Sequence, residues 1–451
     1  VRSRLTRLNR WTTLRQADAL RAAPVIAVIF DDDEDTIMAD AAQALPRDYD
    51  VIVYGASGFT GRLVAEHLLG TYGATGEIRW AMAGRSTAKL AKVRDLIGGP
   101  SNLPLIAADS SDPASLKTMA ESAKAVISTV GPYQLYGEGL VAACAATGTD
   151  YVDLCGEPAW MAATIRKYGD AAKSSGARIV FSCGFDSIPF DLGVFFLEQQ
   201  ARAKFGEPAT RVRGRVRKMK GTFSGGTAAS LLATVEAAAR EPAIRKTLSD
   251  PFALTPGFVG APQPSGNEVV EDIAAGSWVA PFMMAMINTK AVHRSNQLLN
   301  YAYGRDFVYD EMMMMGSGPA GEKRAKALAR REAIQNALIG FAPTRALIRR
   351  FVLPKPGQGP SKAARDAGFY DILLIGETSD GRSLRVSVKG DKDPGYGSTS
   401  KMIAESGICL ARDVSHDTVG GGFWTTASAM GESLIGRLQA KAGLTFTLED
   451  G

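Results

Sequence analysis

From Tyr49 onward the apolar residues gather in short runs, separated by longer stretches in which they recur every three or four positions. Val51-Ile52-Val53-Tyr54 is the first run. It is partly β-branched and closed by Gly55, as a strand buried on both faces of a parallel sheet should be. Behind it Leu63, Val64, His67 and Leu68 share one face of a helix over Thr60–Leu69, with Gly70 at its stop. The alternation then repeats. Strands are expected over Ile78–Ala83, Leu103–Ala107, Ala125–Val130, Tyr151–Leu154 and Arg178–Ser182, and helices over Thr87–Ile97, Gly139–Thr147 and Ala159–Ser174, with Ser86 as a cap. Such strand–helix units predict the α/β class with a doubly wound parallel sheet.

After Asp191 the texture changes to longer strands, methionine clusters and glycine-rich joints, which predicts a second, α+β domain built on a mixed sheet. Arg211 to Lys220 alternates as a strand, and Phe369–Glu377 with Ser383–Lys389 reads as a β-hairpin around Ser379-Asp380-Gly381. The expected organisation is a poorly ordered N-terminal extension over 1–47, a parallel-sheet domain over 48–190, a substrate domain over 191–410, and a segment over 411–451 returning to the first domain. The first 22 residues hold six arginines against one acid, Asp18, and have no apolar stretch of the secretory kind. Pro354 to Pro360 is the clearest loop.

Composition narrows the class. A chain of 451 residues, 45% hydrophobic and 22% charged, is long enough for two or three folded units. A net charge of +5 over that length leaves no nucleic-acid footprint. Four cysteines without paired spacing and three scattered histidines read as reduced, metal-free and cytoplasmic. The longest apolar run, Val279 to Ile287, is less than half of the roughly 20 residues a membrane-spanning helix needs. Its Met283, Met284 and Met286 suit ordinary core, a greasy pocket or peripheral contact with the plasma membrane.

Gly55-Ala56-Ser57-Gly58-Phe59-Thr60-Gly61 has the spacing G-x-x-G-x-x-G and joins a buried strand to a helix. Glycines there permit a tight turn and let main-chain N–H groups approach a pyrophosphate, so the first domain reads as a dinucleotide-binding Rossmann domain. An acid at the end of the second strand would select a free ribose 2′-hydroxyl. Arg85 and Ser86 stand there instead, which suits the 2′-phosphate of NADP by charge-assisted hydrogen bonds, although Arg85 also reads as a solvated helix-entry residue. By topology Asp109 and Ser110 border the adenine, and Thr129, Gly131 and Pro132 lie under the nicotinamide.

These blocks, together with Gly84-Arg85, Val130-Gly131-Pro132-Tyr133, Asp153-Leu154-Cys155-Gly156-Glu157, Cys183 to Asp191, Ser224-Gly225-Gly226-Thr227, Gly359-Pro360-Ser361 and Asp393 to Gly397, resemble the saccharopine dehydrogenase-like oxidoreductases, most closely their actinobacterial trans-acting enoyl reductases. The resemblance implies NADP binding and reduction of a double bond in a polyketide-derived lipid or its acyl thioester, with a polyketide synthase or acyl carrier protein as partner and a homodimer as candidate assembly. Imine or amino-acid reduction, and lipid-associated nucleotide binding without catalysis, are the rival functions. Two departures stand out: Cys155 replaces an expected Thr or Ser, and Gly421-Gly422-Phe423-Trp424-Thr425-Thr426 lacks the proline expected after the first Thr, with the bulky Trp424 suggesting a reshaped pocket or loop there.

Tyr133 and Tyr136 are candidate hydroxyl donors to a developing enolate oxygen, and Asp186, after the sixth strand, is a candidate group at the substrate mouth. Packing explains each tyrosine equally well, and helix capping explains Asp186. Arg211, Arg213, Arg215 and Arg217 share one strand face, read either as a solvated face or as a seat for an acidic carrier protein.

Overall fold

The computed structural model describes residues 47–221, 225–341, 343–344 and 359–449, apart from the side chains at 225–228 and 231. The N-terminal extension up to 46, Ser224 and the loop residues 354–358 lie outside the described residues.

Six strands alternate with helices in the first part of the chain: β1 (Tyr49–Tyr54), β2 (Trp80–Gly84), β3 (Leu105–Ala107), β4 (Ala123–Ser128), β5 (Asp150–Asp153) and β6 (Arg178–Val180). They form a parallel sheet in the order β6-β5-β4-β1-β2-β3. The order reverses between β1 and β4, which opens a crevice at the carboxyl ends of those strands. Alternate residues of β1 enter different cores: Val51 and Val53 pack on one face of the sheet, Ile52 and Tyr54 on the other. Both faces are therefore covered, which is why the run from Val51 to Tyr54 is apolar without a break.

The second sheet contains β7 (Arg211–Lys220), β8 (Val270–Asp272), β9 (Ser277–Pro281), β10 (Val308–Gly316), β11 (Phe369–Glu377) and β12 (Ser383–Gly390). β7 runs parallel to β10 and antiparallel to β11, so the sheet is mixed. The expected hairpin is β11 with β12, in register from Glu377 opposite Ser383 to Tyr370 opposite Gly390.

The end of the chain divides between the two sheets. β13 (Gly422–Trp424) extends the first sheet beside β6, whereas β14 (Leu444–Glu449) pairs with β12 in the second. Helix Thr399–Arg412, before the expected boundary at 411, also packs on the first sheet, with Met402, Ile403 and Ile408 in the core shared by Val51 and Ile127. A single return after 410 is thus corrected: the return starts earlier, and the alternating Leu444 and Phe446 bury themselves on the second sheet. Helix Pro113–Glu121 has no counterpart in the sequence reading, although Asp112 caps it through the Ala114 N–H and Pro113 opens it.

Candidate active site

The glycine turn follows β1 directly. Gly55 has φ +86°, and a Cβ there would lie 2.7 Å from both the Thr129 hydroxyl and the Val130 side chain. A Cβ on Gly61 would lie 2.3 Å from the Gly55 carbonyl oxygen. The chain can thus fold back on itself only without side chains at these two points. Helix Phe59–Tyr72 starts after Gly58 with no side-chain cap, so its first-turn amides have no internal partner and form a seat for an anion. The expected loop residues divide by role: Ala56 is buried beneath the turn, Ser57 and Gly58 are exposed, and Phe59 and Thr60 are half-buried.

Phe59 ties this loop to distant blocks. Its ring meets Tyr396 edge-on at 5.2 Å, the guanidinium groups of Arg62 and Arg365 lie 5.5 and 5.7 Å from its centre, and a Cβ on Gly359 would come within 2.4 Å of it. Asp393 accepts hydrogen bonds from the Tyr396 and Gly397 N–H groups and fixes the turn that presents Tyr396. The later sequence blocks therefore buttress the glycine loop. No local signal could show this, because these residues lie about three hundred positions apart.

At the end of β2, Arg85 is exposed and makes no ion pair or hydrogen bond among the described residues. Ser86 caps the next helix by accepting from the Lys89 N–H. Asp109 bends back on itself, its Oδ1 accepting from the Ser111 N–H at 2.9 Å and hydroxyl at 2.8 Å. Those bonds hold its carboxyl below the usual carboxylate range. Ser110 is half-buried beside Tyr54, whose phenol is pushed up to about 12 by burial and by Asp109. An exposed guanidinium that makes no hydrogen bond among the described residues, with the Asp109 carboxylate within electrostatic reach, fits a 2′-phosphate.

At the end of β4 the geometry departs from expectation. Thr129 directs its hydroxyl to the Tyr54 carbonyl at 3.0 Å, so its side chain braces the crevice rather than reaching into it. Gly131 and Pro132 carry the chain over the edge, joined by a cis peptide bond. Tyr133 is 4% exposed; its hydroxyl donates to the Ser128 carbonyl and accepts from the Leu154 N–H at 3.1 Å. Burial, with Asp153 nearby, raises its pKa well above the ordinary value. A phenol locked to main chain on both sides does not reach a substrate, which corrects the role expected for Tyr133. Tyr136, one helical turn on, is 48% exposed.

Glu157 is a residue the sequence reading quoted without a role. Its buried carboxylate accepts from the Tyr133 N–H at 2.9 Å, the Gln134 N–H at 2.8 Å and the Ser230 hydroxyl at 2.8 Å. Ser230 belongs to helix Gly225–Arg240, so Glu157 pins that helix over the Gly131-Pro132 edge. Asp153 sits deeper. It accepts from the Cys155 and Ser182 N–H groups and the Tyr151 hydroxyl, and burial raises its pKa to about 7. Cys155 itself is fully buried, which explains why a thiol serves there as a small core residue.

The two acids flanking the Phe185 block separate. Asp191 is fully buried and accepts from the Ser295 and Thr426 hydroxyls and the Ala427 N–H. It fastens the C-terminal segment to helices Ile188–Phe205 and Ala285–Leu298. Asp186 is half-buried, near Gly156, and its carboxyl makes no hydrogen bond or ion pair among the described residues. Burial alone lifts its pKa to about 6. Trp424 gives its indole N–H to the Gly420 carbonyl at 2.9 Å.

Residues 51–180 match the model of the saccharopine dehydrogenase NADP binding domain. The chain is 43% identical over 419 residues to a Mycobacterium tuberculosis protein provisionally named a trans-acting enoyl reductase, covering 89% of this chain and 98% of that one. It is 37% identical over 410 residues to a trans-acting enoyl reductase of Mycobacterium bovis, covering 87% and 96%. The chain belongs to the trans-acting enoyl reductase family. Like the domain it matches, this family member takes NADP. Among solved structures it is similar to apo saccharopine dehydrogenase (L-Glu forming) of Saccharomyces cerevisiae, at 13% identity and a TM-score of 0.49, covering 89% of this chain and 100% of that one.

The arginine stripe of β7 is closed off in this enoyl reductase. Arg211 pairs with Asp310, Arg213 with Glu377 at 3.0 Å, Arg215 with Asp272 at 2.6 Å and Asp310 at 2.9 Å, and Arg217 with Asp371 and Glu449. A cationic seat for an acidic carrier is thereby corrected: each guanidinium already has a carboxylate of its own chain.

Proposed function

We propose that this protein reduces a carbon–carbon double bond conjugated to a thioester or lipid carbonyl, acting in trans on the product of a polyketide synthase that lacks its own reductase. Identity of 37 to 43% over almost nine-tenths of the chain, to relatives named for that activity, carries the reading. The free amides after Gly58, the absence of Cβ atoms at Gly55 and Gly61, and the exposed Arg85 support it on physical grounds.

Bound NADPH would supply a hydride to the β-carbon of the alkene. The chain itself does the rest. The glycine loop, with Phe59 clamped behind it, fixes the pyrophosphate; Arg85 and Ser86 hold the 2′-phosphate; and the Gly131-Pro132 edge, pinned by Glu157 and Ser230, forms the floor on which the alkene lies. Asp186 is the proposed proton donor to the α-carbon. Its carboxyl lies near Gly156 after the sixth strand, makes no hydrogen bond or ion pair among the described residues, and with a pKa of about 6 holds a transferable proton near neutral pH. Tyr136, exposed at the rim, is the remaining candidate donor to the enolate oxygen.

The test is transfer itself. Protein, NADPH deuterated at C4 and an α,β-unsaturated acyl thioester are incubated, in parallel with an actinobacterial lipid extract. The product should gain one deuterium at the β-carbon and one solvent proton at the α-carbon. Oxidation of NADPH by imines or ketones alone would overturn the proposal.

A further inference from the structure

Strands β5 and β6 lie side by side, with Tyr151 opposite Ile179 and Val152 opposite Val180, so the loops that follow them leave the sheet together at its carboxyl edge. The first loop carries Glu157, which pins the Gly131-Pro132 edge; the second carries Asp186. Within the second loop Ser182 has φ +60°, in the left-handed region that costs an L side chain energy unless its surroundings hold it. They do hold it. The Ser182 N–H donates to Asp153 Oδ1 at 2.9 Å, and its hydroxyl donates to the Cys155 carbonyl. The Cys155 N–H meets the same Asp153 oxygen at 2.9 Å, and the Cys183 N–H reaches the Asp153 carbonyl at 2.6 Å. One buried carboxylate thus joins both loops. Glycine would take the Ser182 conformation without strain; what serine adds is a hydroxyl, and that hydroxyl goes to the opposite loop.

The left-handed turn at Ser182 sets the path of the next residues. Gly184 packs so closely that a Cβ there would lie 2.7 Å from the Leu154 side chain, and the Phe185 N–H donates to the Thr399 hydroxyl at 3.0 Å. Helix Ile188–Phe205 begins directly afterwards, with the Ser187 and Ile188 N–H groups on the Gly184 carbonyl. Asp186 is placed by this backbone, because its own carboxyl makes no hydrogen bond or ion pair among the described residues. The geometry points to Asp153 and Ser182 as a positioning pair that sets the Asp186 carboxyl beside Gly156, in register with the Gly131-Pro132 edge. This role rests on the reading of Asp186 as the proton donor. Neither member of the pair touches the substrate; both act through the loop.

Ser182→Ala, Asp153→Ala and Asp153→Asn are compared with the wild type in the enoyl thioester assay described above, and Ser182→Ala is crystallised. Asp153→Ala releases both N–H groups, and kcat should fall by about a hundredfold; Ser182→Ala removes only the hydroxyl tie, and kcat should fall by about tenfold. In Asp153→Asn the side-chain oxygen still accepts both N–H groups, so most of that loss should be recovered. Affinity for NADPH should stay near the wild-type value, since none of these bonds involves the glycine loop. A misplaced acid slows the proton step, so the solvent deuterium isotope effect on kcat should rise while the effect of C4-deuterated NADPH shrinks. A mere loss of folded protein would leave both isotope effects unchanged. In the Ser182→Ala crystal the Asp186 carboxyl should stand about 1 Å from its wild-type place, a shift large enough to slow proton transfer. An unmoved carboxyl, wild-type turnover in Ser182→Ala, or reduced turnover with both isotope effects unchanged would overturn the inference. Asp186→Asn, run alongside, separates the two readings. Full turnover there removes the acid from the proposed function and the pair's role with it, whereas turnover lost there but kept in Ser182→Ala and Asp153→Ala removes the pair alone.

Discussion

Arg85 and Arg215 look alike in the sequence, each a cation that a polyanion could meet, and the fold gives them opposite fates. Arg85 stands at the carboxyl end of β2, past the last cross-strand neighbour, and stays exposed. Arg215 sits mid-strand in β7, is 3% exposed, and is held between Asp272 and Asp310. A side chain in the middle of a sheet has neighbours on both adjoining strands at about 5 Å and must be matched by them, whereas one at a strand's end projects into whatever the loops leave open. Availability of a charge is thus decided by partners from elsewhere in the chain, here 57 and 95 residues away.

The comparison breaks most visibly if Arg215 proves dispensable. Arg215→Ala leaves the buried Asp272 without its guanidinium and Asp310 with Arg211 alone, and stability in urea should fall by about 3–5 kcal/mol. A loss below about 1 kcal/mol would mean the pair is solvated after all. Next in size, Gly61→Ala pushes a methyl group into the Gly55 carbonyl and should weaken NADPH by about a hundredfold in a fluorescence titration, about 2.7 kcal/mol, with the thermal transition retained. Arg85→Ala should weaken NADPH by about tenfold to a hundredfold and leave NADH nearly unchanged; equal losses for both would remove Arg85 from the 2′-phosphate.

Asp186 sharpens the comparison for the opposite charge, as an acid left without a partner. Its pKa of about 6 in the fold exceeds the ordinary 3.8, so the fold prefers the neutral form: stability from this group grows as pH falls from about 6 toward 4 and is absent at pH 7. Asp186→Asn should therefore leave the thermal midpoint at pH 7 equal or higher, while turnover falls and the limb of the pH–rate profile near 6 disappears. A merely structural role would leave that limb in place. The smallest effect is expected at Arg213→Ala, whose partner Glu377 is exposed, with a stability change within about 1 kcal/mol.

Much of the first sheet was legible because its signals are local. Val51-Ile52-Val53 followed by glycine, and the glycine spacing itself, require only neighbours in sequence to take shape. Ser86 as a cap is of the same kind, and so is the missed Asp112-Pro113 start. The roles of Tyr133 and Thr129 were not legible. Each side chain turns inward to a carbonyl, Ser128 or Tyr54, that the pattern cannot show to be within reach. Glu157 was hidden for a related reason, since its function is to join the turn after β4 to a helix more than seventy residues later.

By itself, then, the order of apolar runs and glycines determined the parallel sheet and the nucleotide turn, because backbone conformation and strand burial are set over a few adjacent residues. Only the tertiary structure decided which acids and phenols stay open to a substrate, which arginines are neutralised, and how the chain's end is shared between two sheets. Those outcomes depend on desolvation and hydrogen bonding between groups brought together from remote positions, and the free energy of such a contact exists only once both partners are in place.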